Sequence, residues 1–153
     1  MEEFRVVDPA STPARWAMGE YFAEITAQFG FEVGTALDDA ATAYAAPRGR
    51  FVLAGPDDAP LVCGAVQFLD DERAEIKRMW VSADARGRGL ARALLAHLES
   101  LILAAGRTES LLDTNGSLTA AVSLYESSGY RSVPDYNANP DANVWFAKSL
   151  VTT

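Results

Sequence analysis

The chain has 153 residues, 49% of them hydrophobic and 22% charged, with a net charge of −8. That length fits one domain around a substantial core, the composition excludes a disordered chain, and the acidic balance argues against general nucleic-acid binding, which needs a basic surface. A single cysteine, Cys63, excludes a disulfide framework and a cysteine metal cluster, and a single histidine, His97, argues against a serine–histidine triad or a histidine zinc site. Met1-Glu2-Glu3 lacks a basic leader region, and no apolar run approaches the roughly 20 residues of a membrane span, so the cytoplasm is the expected location.

Taken in order, Phe4–Val7 reads as a short strand stopped by Asp8-Pro9. Ser11-Thr12-Pro13 opens a helix to about Gln28, with Trp16, Tyr21, Ile25 and Phe29 at mixed helical spacing and Gly30 as its stop. From Phe31 to Arg50 the pattern weakens, and Leu37–Ala41 fits either a short second helix or a loop over a site. Arg50–Ala54 and Leu61–Leu69 flank Gly55-Pro56-Asp57-Asp58-Ala59-Pro60 and read as a hairpin. Asp70-Asp71-Glu72 turns the chain into a further strand, Glu75–Val81. After a glycine–arginine turn, Leu90, Leu94, Leu98, Leu101 and Ile102 share one face of a helix that ends at Gly106. Ser110–Asp113 is a short strand, and a strand–helix–strand crossover of this kind favours parallel pairing. A helix from about Ser117 to Ser128 stops at Gly129, and Tyr130–Val133 and Asn143–Leu150 close the chain as strands around a polar loop, 134–141. Neither a repeat nor a linker divides the sequence, so a single domain over 1–153 is expected.

The segment Glu75–Leu95 organises the rest. An extended strand runs into Arg86-Gly87-Arg88-Gly89, which opens directly into a helix. Unpaired N–H groups converge at such a helix start, where the dipole is positive, and make an anion site suited to a phosphate. Arginines crowded there oppose the dipole unless an anion arrives. Gly87-Arg88-Gly89 also begins a dinucleotide fingerprint, but position 92 is Arg where the third glycine would stand.

With Arg86, Gly89 and Ala91 in that turn, Leu124-Tyr125-Glu126-Ser127-Ser128-Gly129-Tyr130 downstream, and the softer match Val133-Pro134-Asp135-Tyr136-Asn137, the chain resembles the GNAT superfamily of acyl-CoA-dependent N-acyltransferases. The resemblance covers the chain from about residue 50 onwards. It implies a mixed α/β (α+β) fold, a bent, mostly antiparallel sheet of about six or seven strands with about four helices. It further implies that acetyl-CoA is the cosubstrate, that no metal is needed and that the acceptor is a primary amine. The Val133–Asn137 segment resembles members acting on small molecules; a peptide or protein acceptor, or a non-catalytic acyl-CoA-binding sensor, is the alternative. Nothing in the sequence excludes a homodimer.

By the same resemblance the backbone of Arg86, Gly87, Arg88, Gly89, Leu90 and Ala91 cradles the pyrophosphate of coenzyme A, and Met79, Trp80 and Val81 pair with its pantetheine arm as an added strand would. A β-bulge near that strand would open the slot, though the sequence does not display one. Tyr125 matches the general acid, its ordinary pKa of about 10 keeping it protonated at neutral pH. Glu75 is the favoured base, acting through water, with Asp113 as the alternative; either carboxylate serves equally well to bind a cation or to pair with Lys77 or Arg78. Two departures stand out: Leu118 occupies a position where family members carry asparagine, with Asn115 as a substitute, and Val144 stands where histidine is expected. Trp16, Tyr21, Tyr136 and Trp145 are candidate pocket aromatics, Cys63 is expected to be an inert buried thiol, and His97 to lie at the surface.

Overall fold

In the computed structural model, which describes residues 3–31 and 33–151, the expected strands and helices are found with ends moved by a residue or two. In chain order they are β1 (Arg5–Val7), α1 (Thr12–Phe29), α2 (Ala36–Ala43), β2 (Gly49–Ala54), β3 (Val62–Phe68), β4 (Arg73–Val81), α3 (Leu90–Ala104), β5 (Glu109–Thr114), α4 (Thr119–Ser127), β6 (Arg131–Val133) and β7 (Val144–Ser149). One seven-stranded sheet runs in the order β1-β2-β3-β4-β5-β7-β6. Every pairing is antiparallel except β4 with β5, where the α3 crossover enforces the parallel sense. The ambiguous stretch after residue 31 resolves as a helix, α2.

Two apolar layers cover the sheet. On one face Val52, Val62, Val66 and Ile76 pack against Leu94, Leu98 and Ile102 of α3 and Tyr125 of α4. On the other, Phe51, Leu53, Cys63, Ala65 and Trp80 meet Ala14, Ala17, Met18 and Phe22 of α1. Alternate strand residues feed the two layers, as a pleated strand buried on both faces requires. At Gly64 α3 packs closely on the sheet: a Cβ there would lie 3.0 Å from a Leu98 methyl and 3.2 Å from one of Leu94.

The cap signals of α1 act as read. The Ser11 hydroxyl accepts from the Ala14 N–H, and Gly30, at φ 73°, donates its N–H to the Thr26 carbonyl. The buried face of that helix differs from the aromatic spacing. Ala14, Ala17, Met18 and Phe22 are buried, whereas Trp16 is 47% exposed. Small residues let α1 approach the sheet closely and push the bulky aromatics to its flanks. His97 corrects a second expectation. It is half-buried rather than open, its ring 5.2 Å from Phe4, and burial lowers its pKa. Cys63 is fully buried, and burial pushes its thiol pKa up, so little reactive thiolate forms.

Candidate functional site

The site begins with a slip in register. Cys63 of β3 pairs with Trp80 of β4, but Ala65 pairs with Lys77, so Gly64 faces two residues, Arg78 and Met79. This is a β-bulge in β4, and Arg78 carries it with φ 58°. The extra residue inverts the alternation beyond it. Ala74 and Ile76 face α3, and after the bulge Met79 and Val81 do so, leaving Trp80 to pack toward α1.

The bulge also parts β4 from β5. The parallel ladder joins only Arg73–Glu75 to Glu109–Leu111. Beyond it the strands diverge around a cleft of about 760 Å³, with Ile76 to Val81 on one wall and Leu112 to Asn115 on the other. Met79, Trp80 and Val81 therefore present an edge with no strand beside it on the β5 side, which suits a ligand that adds as a strand.

At one mouth of the cleft lies the start of α3. Gly87 and Gly89 take φ of 80° and 76°, and a Cβ at either would meet no atom within 4 Å, so their backbone is open to a ligand. Gly89 caps the helix without a side chain, leaving the first-turn N–H groups of Leu90 and Ala91 facing outward. Three guanidinium groups surround this end. Arg86 donates to Glu24 of α1 at 2.6 Å and to the Val81 carbonyl, Arg88 to the Asp84 carbonyl, and Arg92 to the Ser127 and Ser128 hydroxyls. Convergent N–H groups, a positive helix end and arginines fit a pyrophosphate.

Tyr125 reaches into the cleft from α4. Its ring is wedged against Tyr130 and Phe146, at 6.1 and 6.0 Å, and its hydroxyl donates across the cleft to the Met79 sulfur at 4.0 Å. A thioether is a weak acceptor, so the proton is available to a better one. Burial raises the phenol pKa above its ordinary value and keeps it protonated at neutral pH.

Glu75 sits at the point where the strands part and is only 4% exposed. Its carboxylate accepts from the Tyr136 hydroxyl (2.6 Å), the Asn137 amide (2.9 Å) and Lys77 (3.2 Å). The same Asn137 nitrogen donates to Asp113 at 2.5 Å, and Asn139 adds a second donor to Asp113 at 3.2 Å. The Trp145 indole N–H, which can only donate, holds the Asn137 oxygen at 2.9 Å. That bond fixes the amide so that its nitrogen faces both carboxylates. Asp135 in turn accepts from the N–H groups of Asn137 and Ala138, shaping the loop that carries the amide. Burial, then the Glu75 charge and hydrogen bond, push the Tyr136 pKa up, so Tyr136 remains a donor.

Of the two carboxylates Asp113 lines the cleft, while Glu75 lies behind it with its oxygens occupied. Asn137 and Asn139 are the residues that reading the sequence passed over. The signal was present in Tyr136-Asn137 of the 134–141 loop, but its partners lie more than 60 and more than 20 residues away. Asn115 and Leu118 both line the cleft, and the Asn115 oxygen accepts from the Ser117 N–H. Tyr21 also lines it, whereas Val144 and Trp16 do not. No group of acidic, histidine or cysteine residues among the described residues is arranged to hold a metal ion, and no described helix is long and apolar enough to cross a membrane.

Residues 47–132 match the model of the acetyltransferase (GNAT) domain. An IAA acetyltransferase of Azospirillum brasilense is 35% identical over 88 residues, 56% of this chain and 57% of that protein. An uncharacterised N-acetyltransferase of Schizosaccharomyces pombe is 31% identical over 107 residues, 69% of this chain and 66% of its own length. The chain therefore spans somewhat under two thirds of either relative. Among solved structures, an aminoglycoside 6′-N-acetyltransferase complexed with coenzyme A superposes with a TM-score of 0.74 at 14% identity, covering 99% of this chain and 98% of that one.

Proposed function

Because the chain belongs to the GNAT acetyltransferase family, we propose that it is an acetyl-CoA-dependent N-acetyltransferase that transfers acetyl directly to a primary amine of a small molecule. The observation that carries this reading is the wedge between β4 and β5, with an open helix end at its mouth and the Tyr125 hydroxyl spanning it to Met79. Arg86 to Ala91 hold the pyrophosphate, and the Met79–Val81 edge holds the pantetheine arm. When bound, acetyl-CoA supplies an electrophilic thioester carbonyl and a thiolate leaving group.

The chain's own groups manage the protons. The nitrogen forms its bond to the carbonyl carbon as the carbon–sulfur bond breaks. A carboxylate of pKa about 4 does not strip an ammonium of pKa about 10, so the neutral amine, its first proton already lost to solvent, is the attacking species. The carboxylate takes the second proton through water as the nitrogen acidifies during attack. Glu75 and Asp113 form that carboxylate pair, Asp113 facing the cleft and Glu75 behind it, linked by the Asn137 amide. Tyr125 hydrogen-bonds to the departing sulfur and donates its proton. Tyr21, Phe22 and Phe31 on one side and Asn139 and Asp141 on the other enclose the acceptor end, which suits a small molecule better than an extended peptide.

Free thiol release from acetyl-CoA, followed against polyamines, amino acids, aminoglycosides and peptides, tests this. Acceleration by a small amine is the expected result, and acceleration by peptides alone overturns the acceptor class. Binding of acetyl-CoA without acceleration by any amine assigns the chain instead as an acyl-CoA-binding module.

A further inference from the structure

Arg78 is a cation at the acceptor end with no carboxylate paired to it among the described residues. Lys77 is paired with Glu75 and Arg86 with Glu24. Arg78 lines the same cleft, yet no carboxylate lies within ion-pair distance of it among the described residues. Its Nε is buried and has no hydrogen-bond acceptor. A partly buried cation left this way is costly, because desolvation is not offset by a partner.

Its backbone is costly as well. Arg78 occupies the left-handed region at φ 58°, at a bulge position where glycine or asparagine fits without strain. The conformation sends the side chain away from the α3 layer to lie over Phe22, 4.9 Å from its centroid, and near Tyr21 at 5.8 Å. These rings flank the guanidinium, and the cleft beside it offers the fork to a planar anion. Across the cleft stands Asp113. The Tyr21 and Tyr44 phenols lie close to the guanidinium: burial raises the pKa of each, and the Arg78 charge and hydrogen bonding oppose that rise. The α1 side of the cleft adds apolar surface from Ile25 and the stacked pair Phe29 and Phe31, 5.2 Å apart.

We propose that Arg78 is a specificity-determining residue and that the acceptor is an amino carboxylate with an aromatic or apolar body. The Arg78 fork holds the carboxylate, the rings of α1 hold the body, and Asp113 faces the amine. The proposal rests on the acetyltransferase reading for the fate of the amine, but not for the binding of the carboxylate. The acceptor is then zwitterionic, and a simple polycation does not satisfy Arg78.

Three acceptors that share a ring and an amine test it: phenylalanine, phenylalaninamide and phenethylamine. A hydrogen-bonded charge pair of this kind is worth at least about tenfold in kcat/KM, so phenylalanine should lead by that factor in thiol release. Arg78→Asn, which keeps the left-handed backbone, should bring the phenylalanine-to-phenethylamine ratio to about one. Arg78→Lys, which keeps charge but loses the fork, should give an intermediate ratio. A binding measurement on the unaltered protein needs no variant and no turnover. In titration calorimetry with coenzyme A present, phenylacetate should bind at least about tenfold tighter than phenylacetamide. Equal binding of these two, or acetylation with no preference for the carboxylate, overturns the role of Arg78 and leaves the acetyltransferase reading standing. Preferential phenylacetate binding without acetylation of any amine supports Arg78 and removes the transferase.

Discussion

At the Gly87–Gly89 end the cleft presents backbone, whereas at the acceptor end it presents side chains gathered from α1, β4, β5 and the 134–141 loop. The first end depends on a hexapeptide that is contiguous in the chain, with two glycines at positive φ and a helix start. The second depends on bonds such as Asn137 to Glu75, between residues 62 apart in sequence. A backbone cradle tolerates many side chains around it. A side-chain network depends on each member, because Asn137 is the donor shared by the buried Glu75 and the cleft-facing Asp113.

Tyr125 lies between the two ends, and its substitution should produce the largest change. Tyr125→Phe should lower kcat by at least about 100-fold with little change in the dissociation constant for coenzyme A, read by pre-steady-state thiol release and calorimetry. An unaltered kcat would remove Tyr125 as the acid. At the backbone end, Gly89→Val forces a β-branched residue into φ 76°. The free loop relaxes out of this conformation, and restoring it on binding at about 1–2 kcal/mol corresponds to a loss of roughly 5- to 30-fold in coenzyme A affinity, with KM for the amine little affected. At the side-chain end, Asn137→Leu leaves the Glu75 and Asp113 carboxylates without their shared donor. Thermal unfolding should show a loss of about 1–3 kcal/mol, and KM for the amine should rise while coenzyme A affinity holds. If coenzyme A affinity falls equally in that variant, the two ends are not independent and the comparison breaks.

The smallest effect expected is on pH dependence. Burial raises the pKa of Tyr125, and of Tyr130 and Tyr136, above the ordinary value of about 10. The unfolded chain therefore ionises first, so stability contributed by these phenols is complete below about pH 10 and is lost as pH rises beyond it. Melting temperature should decline above that point, and kcat should show no descending limb from Tyr125 between pH 7 and 10. A limb in that range which Tyr125→Phe abolishes would show the phenol to be less shielded than its burial implies.

How much of this the sequence displayed follows the same division. The elements, the antiparallel run of β2, β3 and β4, the parallel crossover, the caps at Ser11 and Gly30 and the glycine turn were legible, because each depends on residues near one another in the chain. The place of β7 between β5 and β6 was not. The bulge was not legible, because the positive φ of Arg78 depends on how β3 and β4 come into register around Gly64. Glu75 and Asp113 were legible as competing carboxylates, but their connection through Asn137 was not, since Trp145 and Tyr136 must fold back before the amide has an orientation.

By itself, then, the sequence determined the elements and the glycine turn that opens α3, because hydrophobic period and glycine placement act over a few residues. Only the tertiary structure decided which carboxylate faces the cleft, where Tyr125 points and that no carboxylate among the described residues pairs with Arg78. Those features depend on distances between elements, and such distances are set by packing and strand register across the whole sheet.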